Sequence, residues 1–343
     1  ALYFGFTGTP IQEENQKQGG ATTSMVFGDC LHRYSIADGI RDGNVLGFDP
    51  YMVTTYDDNA VREKIALEQA KADTAAEAMN NPEKSKVFYY WMQEAPMGPM
   101  VDASGESVKG VEDFLPNAQY GPNSGHPKQV VADIVRQFPI LSRGNKFHAM
   151  LATSSIAEAV HYYRLLKSEA PQLKCTALFD PSIDNNGGFA LGKEDALVEI
   201  VGDYNAAYGK DFTIPTWANM KKDIAARLSH KSSYANVDAK REERLDLLIV
   251  VDQMLTGFDS KWVNTLYLDK VIDYESIIQA FSRTNRLYDK NEKPFGTIRY
   301  YRKPHTMKGY IDAAVKLYSG DKPLDLFVQK LPESIALMDA RWI

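Results

Sequence analysis

Residues 147–179 read FHAMLATSSIAEAVHYYRLLKSEAPQLKCTALF. FHAMLAT is a short apolar strand, SSIAEAVHYYRLLKSEA has the length and spacing of a helix, and CTALF is a second strand. The order predicts a βαβ unit with a right-handed crossover. Downstream lies mainly helical, polar sequence, including KEDALVEIVGDYNAAYG (193–209) and WANMKKDIAARL (217–228). The sheet then resumes at 247–251 with LLIVV, a continuous apolar run of the kind a parallel strand needs when both its faces are covered. VNTLYL (263–268), a helix carrying QAFSRTNR (279–286) and GTIRYY (296–301) follow. Strands alternating with helices define an α/β fold with an open, mostly parallel sheet flanked by helices.

Working outward, residues 2–56 hold short apolar runs, LYFGF, MVFGDCLHRYSI and VLGF, broken by Gly and Asp. They read as strands and turns. The first of them looks like a buried strand entering a polar turn, without an initiator methionine before it. The expectation is a piece of a longer polypeptide, with 1–56 closing a domain that begins earlier. From about Asn59 to Asn81 the sequence is Ala-, Glu- and Lys-rich and reads as helical. APMGPMVDASGESVKG (95–110) and LPNAQYGPNSGHP (115–127) read as irregular and exposed, and QVVADIVRQF (129–138) as an amphipathic helix. Segment 57–145 is therefore expected to be a helical and irregular insertion or linker. Residues 146–312 form the main domain, with a helical insertion at about 190–240, and 313–343 start a following helical region.

A chain of 343 residues has room for about two domains. It holds no apolar run long enough to span a membrane and no signal segment, so a cytoplasmic protein is expected. Cys30 and Cys175 have no partner spacing, and the six histidines show no ligand spacing, so no metal site is expected. With 39 basic against 45 acidic residues the net charge is −6, which confines any nucleic-acid contact to a local patch.

In an open parallel sheet the ligand crevice lies outside the carboxyl ends of the strands, which selects the loops. LLIVV runs into DQMLTGFDS, where Gly257 permits close backbone approach and Asp259 could bind a ribose hydroxyl, or the two form a polar turn. FHAMLAT ends in Thr153, Ser154 and Ser155. Ser155 and Glu158 fit a capping box, while Thr153 and Ser154 face outward with free N–H groups for a phosphate. Thr7 and Thr9 flank Gly8 in a turn ended by Pro10. In QAFSRTNR, Gln279, Arg283 and Arg286 stand at i, i+4 and i+7 on one helix strip, opposite Tyr274, Ile277, Ile278, Phe281 and Tyr288. Two guanidinium forks beside one amide suit a phosphate; a solvated helix face has the same pattern.

Taken in order, GFTGTP (5–10), KFHAMLATSSI (146–156), VVDQMLTGFDS (250–260) and IIQAFSRTNRL (277–287) resemble the later motifs of superfamily 2 helicases. More narrowly they resemble the motor (R) subunit of type I restriction endonucleases. HYYRLLK, ALFDPSIDNN and FGTIRYYRKPHTMKGYID add to the narrower match. The resemblance implies two RecA-like domains that clamp ATP and move along double-stranded DNA, with 1–56 the carboxyl-terminal edge of the first and 146–312 the second. It implies that Thr7 and Thr9 couple ATP state to the DNA groove, and that Thr153, Ser154 and Thr256 contact DNA. Gly257 and Asp259 would face the nucleotide, and Gln279, Arg283 and Arg286 would form the arginine-finger helix. ATP with Mg2+ is implied for the whole protein, the Mg2+ ligands lying outside this chain. Methyltransferase and specificity subunits are the implied partners.

The departures from the family pattern matter equally. No GxxxxGK[ST] loop occurs, since Gly192-Lys193 and Gly209-Lys210 are followed by Glu and Asp, and no DExx strand end or nuclease carboxylate cluster is present. The chain alone is expected neither to hydrolyse ATP nor to cut DNA. Other readings are a type III restriction or remodeller-like motor, and a nonenzymatic nucleic-acid-binding scaffold.

Overall fold

The computed structural model describes residues 4–17, 19–102, 104–180, 190–251, 257–319 and 327. Its centre is a six-stranded sheet whose strands all run parallel. In chain order they are β1 (Phe48–Met52), β4 (His148–Thr153), β5 (Cys175–Leu178), β6 (Leu247–Val250), β7 (Val263–Asp269) and β8 (Gly296–Tyr300). Strands β2 (Met100–Val101) and β3 (Ser107–Val108) make a separate antiparallel hairpin. The spatial order is β1-β8-β7-β4-β6-β5. Every residue of β4, β6, β7 and β8 is buried, as apolar runs covered on both faces require. The α/β class with a parallel, helix-flanked sheet is thus the observed fold.

Two details of the sheet differ from expectation. The βαβ unit of β4, α7 (Ile156–Glu169) and β5 forms, but β6 lies between its two strands, so the crossover skips one place. The more apolar LLIV strand takes the position flanked on both sides. Likewise, β1 is not part of a separate amino-terminal unit. It pairs with β8 as an edge strand of the same sheet, Phe48 opposite Gly296. Pro50 in its middle suits an edge, where a missing N–H breaks no ladder.

Upstream of β1 the apolar runs make short helices, α1 (Thr23–Phe27) and α2 (Ile36–Arg41), rather than strands. Of the stretch expected to open the chain as a buried strand, residues 4–6 have no regular secondary structure and are exposed, with Phe4 66% and Phe6 96% accessible. Among the described residues no strand pairs with it, so its apolar side chains have nothing to pack under.

The helical composition over 59–81 is realised as two helices, with a third beginning at Pro82. α3 (Asp58–Ala70) stops where Lys71 takes a left-handed conformation, φ 52°. Thr74 caps α4 (Ala75–Asn80), and Asn81 caps α5 (Pro82–Tyr89) with Pro82 at its first turn. Segment 115–127 was expected to be exposed; instead Leu115, Tyr120 and His126 are buried, as are Val111 and Glu112 just before it. Its anchor is the Glu112 carboxylate, which accepts from Tyr56 Oη (2.5 Å) and from the amides of His305 (3.0 Å) and Thr306 (2.7 Å). Those amides lie in the first turn of α11 (Pro304–Tyr318), so the acid stabilises a helix amino terminus from outside.

The amphipathic helix expected from QVVADIVRQF is α6 (His126–Leu141), which sends Val130, Val131, Ile134 and Phe138 into the main core. The insertion between β5 and β6 contributes α8 (Ala190–Tyr208) and α9 (Trp217–Leu228). Between β7 and β8 lies α10 (Tyr274–Phe281).

Candidate functional site

α10 is where sequence and structure part most usefully. It ends at Phe281, and residues 282–284 turn away from its axis, with Ser282, Arg283 and Thr284 donating to the carbonyls of Ile278, Ala280 and Phe281. The helix strip expected to carry Gln279, Arg283 and Arg286 therefore does not exist beyond Gln279. Thr284 packs tightly against β8 just after the helix ends: a Cβ on Gly296 would lie 2.2 Å from Thr284 Oγ1.

The three residues nevertheless converge. Gln279 Nε2 donates to Thr9 Oγ1 at 3.0 Å. Arg283 Nε donates to the Gln279 carbonyl (3.1 Å) and its Nη1 to the carbonyl of Phe258. Arg286 Nε pairs with Asp259 Oδ1 at 2.5 Å. Gly257, at φ 71°, starts the turn that presents Phe258 and Asp259. Three separate segments thus meet in one cluster. Burial, aided by the charge of Arg286, lowers the Arg283 pKa against the opposing pull of Asp259.

The amino-terminal segment is fastened here too. Asn15 Nδ2 donates to Glu275 Oε2 (3.0 Å) and Tyr318 Oη (2.9 Å), and Tyr318 Oη donates to the Pro10 carbonyl (3.1 Å). Thr7 lies exposed beside the cluster, its Oγ1 accepting from the Thr9 amide at 3.2 Å. Thr256 falls outside the described residues.

The cluster occupies the edge opposite to the one the crevice rule selected. Lys293 Nζ bonds the carbonyls of Lys261 and Val263, at the amino end of β7. Leu46, just before β1, donates to the Asn285 carbonyl (2.8 Å). A loop leaving β6 at its carboxyl end must return to start the parallel β7, and Asp259 sits on the last part of that return.

Thr153 and Ser154 do lie at the carboxyl edge, but not as free donors. Thr153 is fully buried, its hydroxyl bonded to the Val250 carbonyl at 3.3 Å, so it does not face outward. Ser155 caps α7 by accepting from the Glu158 amide (3.2 Å). The Glu158 carboxylate reaches one residue further back than expected and takes the Ser154 amide (3.0 Å). The anion at this helix terminus is therefore the chain's own. Ser154 itself is exposed, its hydroxyl 3.4 Å from the Asp269 carbonyl.

Behind it lies a buried network that sequence reading missed. Asp269 accepts from Tyr162 Oη (2.7 Å) and lies 2.8 Å from His126 Nε2, while Arg302 bridges Asp269 (3.3 Å) and Glu158 (2.9 Å). Burial alone would raise the Asp269 pKa; the histidine, arginine and tyrosine hold it below its ordinary value. These residues come from loops and elements scattered between 120 and 302, so no local spacing announces them.

Among the described residues no three His, Cys, Asp or Glu side chains are placed to hold a metal ion. The one carboxylate of the amino-edge cluster, Asp259, is engaged by Arg286. The donor set does not fit a hard dication, which prefers several oxygen ligands.

A family model described as type I restriction enzyme subunit R domain 3 matches residues 145–303, and one for the SWI2/SNF2 ATPase matches residues 1–86. The type I restriction enzyme SauCOLORF180P endonuclease subunit of Staphylococcus aureus (strain COL) is 31% identical over 96% of this chain and 30% of its own length. The corresponding SsaAORF53P subunit of Staphylococcus saprophyticus is 32% identical over 95% of this chain and 30% of its own. Among solved structures, the ATP-dependent type ISP restriction-modification enzyme LlaBIII bound to DNA covers 91% of this chain with 17% of its own, at 11% identity and a TM-score of 0.40.

The six-stranded parallel sheet carries, in order, the segments that resemble superfamily 2 helicase motifs. Over 95–96% of its length the chain is similar to endonuclease subunits of type I restriction enzymes, and it spans about a third of the length of these curated relatives. No helix among the described residues is long and apolar enough to cross a membrane.

Proposed function

We propose that this chain is part of the ATP-dependent double-stranded DNA translocase of a type I restriction endonuclease, acting in the cytoplasm with methyltransferase and specificity subunits. Its amino-edge cluster receives the terminal phosphates of an ATP held chiefly by a facing domain. The observation that carries this reading is the meeting of Thr9, Gln279, Arg283, Asp259 and Arg286 from three separate segments on one surface. Phosphoryl transfer spreads negative charge over the γ-phosphate oxygens, and guanidinium groups delivered across a cleft stabilise it by roughly a thousandfold or more in rate. Arg suits the task because its planar fork makes paired hydrogen bonds and stays charged.

Arg286 is the residue assigned to the phosphate. Its present partner is a half-exposed carboxylate that a triphosphate would outbid, whereas Arg283 is tied to two backbone carbonyls and orients the turn. The Gln279–Thr9 bond links this cluster to the GFTGTP segment, so closure over the nucleotide would move that segment as well. Ser154, exposed at the carboxyl edge, is the remaining candidate for a DNA backbone contact. No step is assigned to Mg2+, which the described residues of the cluster do not fit.

Arg286→Ala in the complete enzyme is expected to abolish DNA-stimulated ATPase while DNA affinity is kept. Loss of DNA affinity with ATPase retained would point instead to a nucleic-acid-binding scaffold. The purified 343-residue chain is expected to show no ATP turnover; DNA-stimulated hydrolysis by it would refute the division of labour.

A further inference from the structure

Lys293 is the one lysine among the largest fully buried side chains, with 1% of its surface accessible. Its ammonium donates to two carbonyls, Lys261 O and Val263 O, both at 2.9 Å. Among the described residues no carboxylate lies within ion-pair distance of it. A buried charge without a counter-ion is costly, and a simple anchor for two carbonyls needs only neutral donors. The charge calls for another explanation.

Its position supplies one. Lys261 and Val263 follow directly on the turn of Gly257, Phe258 and Asp259, whereas Lys293 itself belongs to the segment that leads on from Arg286. The side chain therefore ties together the two turns that present the Asp259–Arg286 pair. We propose that Lys293 is a positioning residue of the nucleotide cluster, pinning those turns to one another and holding a charge in reserve for the phosphate that Arg286 meets. This rests on the reading given under the proposed function.

The surroundings agree. Burial first, then the charge of Arg286, lowers the Lys293 pKa to about 7, with Asp259 opposing. Glu292, beside it in sequence, is committed to Lys146, and its carbonyl accepts from Arg143 Nε at 3.2 Å. Lys261 directs its ammonium over the rings of Trp262 and Tyr288. Below that aromatic cluster, burial holds the His148 and His230 pKa values low, the latter at about 4, so neither titrates near neutrality. An anion brought to Arg286 favours the charged ammonium, so nucleotide binding should draw a proton onto Lys293.

The test is the pH profile of DNA-stimulated ATPase in the complete enzyme. The charged form is the active one, so wild-type kcat/KM is expected to fall as pH rises through about 7, the free-enzyme value. The fall in kcat should come at higher pH, because bound nucleotide retains the proton. Lys293→Arg keeps its charge and should lose the alkaline limb; Lys293→Met should lower kcat by roughly tenfold or more and also lose it. Should either variant fail to fold, the wild type still decides. Binding of a nonhydrolysable ATP analogue, followed by calorimetry in two buffers of different ionisation enthalpy, is expected to show proton uptake near neutral pH.

An unchanged alkaline limb in a folded Met or Arg variant, or analogue binding without proton uptake, would overturn the assignment of Lys293. Full activity in Arg286→Ala would instead overturn the reading of the whole cluster. An inactive Arg286→Ala beside unaffected Lys293 variants would sink this inference alone.

Discussion

Arg286 and Asp259 hold each other through one charge-assisted hydrogen bond, with 40% and 66% of their side chains exposed. Pairs so open to water contribute at most about 1 kcal/mol, because solvent screens them and ordering two long side chains costs entropy. Asp259→Asn is accordingly expected to shift urea-unfolding stability by less than about 1 kcal/mol. The same substitution releases Arg286, and in the complete enzyme it should change the ATPase rate far more than the stability. The arginines were legible in the sequence through their motif, although the helix strip invoked for them was not real. Thr284 packs tightly against Gly296 just after the helix ends, a contact that nothing local to QAFSRTNR signals. Lys293 was not legible either. It stands in the run DKNEKP, where a solvated lysine is the ordinary expectation, and only the folded chain puts it under two carbonyls.

Among the elements, α9 is held by a side chain that looks out of place. Arg227 is 1% accessible, with its guanidinium 3.8 Å from the ring centre of Tyr208 and 4.2 Å from that of Tyr234. It also meets Asp223 Oδ2 at 3.2 Å and the Glu243 carbonyl. Arg227→Met removes one partner of a buried pair and should destabilise the protein by about 3–5 kcal/mol, read from a denaturant midpoint. Lysine would not rescue it, since a point charge neither stacks on the tyrosines nor forks to several acceptors. Ser155→Ala deletes a helix cap and is expected to cost about 1 kcal/mol. That cap was readable as Ser155 with Glu158. The caps at Thr74 and Asn81 stand in the sequence as Thr74 before Ala75 and Asn81 before Pro82, but a composition read only as helical does not place the breaks. Glu112 could not be read at all, because the helix it stabilises begins at residue 304.

For the whole molecule, two buried carboxylates bind helices to the sheet. Asp133 on α6 accepts from Arg299 of β8 through both oxygens (2.8 and 3.0 Å), and Asp269 gathers His126, Tyr162 and Arg302. Desolvation alone would raise their pKa values, yet their partners keep both below the ordinary range. A depressed carboxylate adds stability above its unfolded pKa of about 4 and loses it as pH falls through the folded value. Stability should therefore decline steadily in acid, and Asp133→Asn should flatten that decline while lowering stability at neutral pH. The alternation of strands and helices made the α/β class plain, and the strand runs at 147–153, 247–251, 263–268 and 296–301 all lie in the sheet. The order of the strands was not plain, because sequence proximity suggested β4 beside β5, and the apolar surface that draws β6 between them is a property of the assembled sheet. That order has a consequence for how the protein is made. Among the described strands β1 is flanked by β8, Phe48 against Gly296, with one further parallel bridge from Phe48 to Phe327. On a translating ribosome its hydrogen-bonding groups must wait for nearly the entire domain to emerge, so a nascent chain stalled before residue 296 should be open to proteases around residue 48 and closed once the last strand is out.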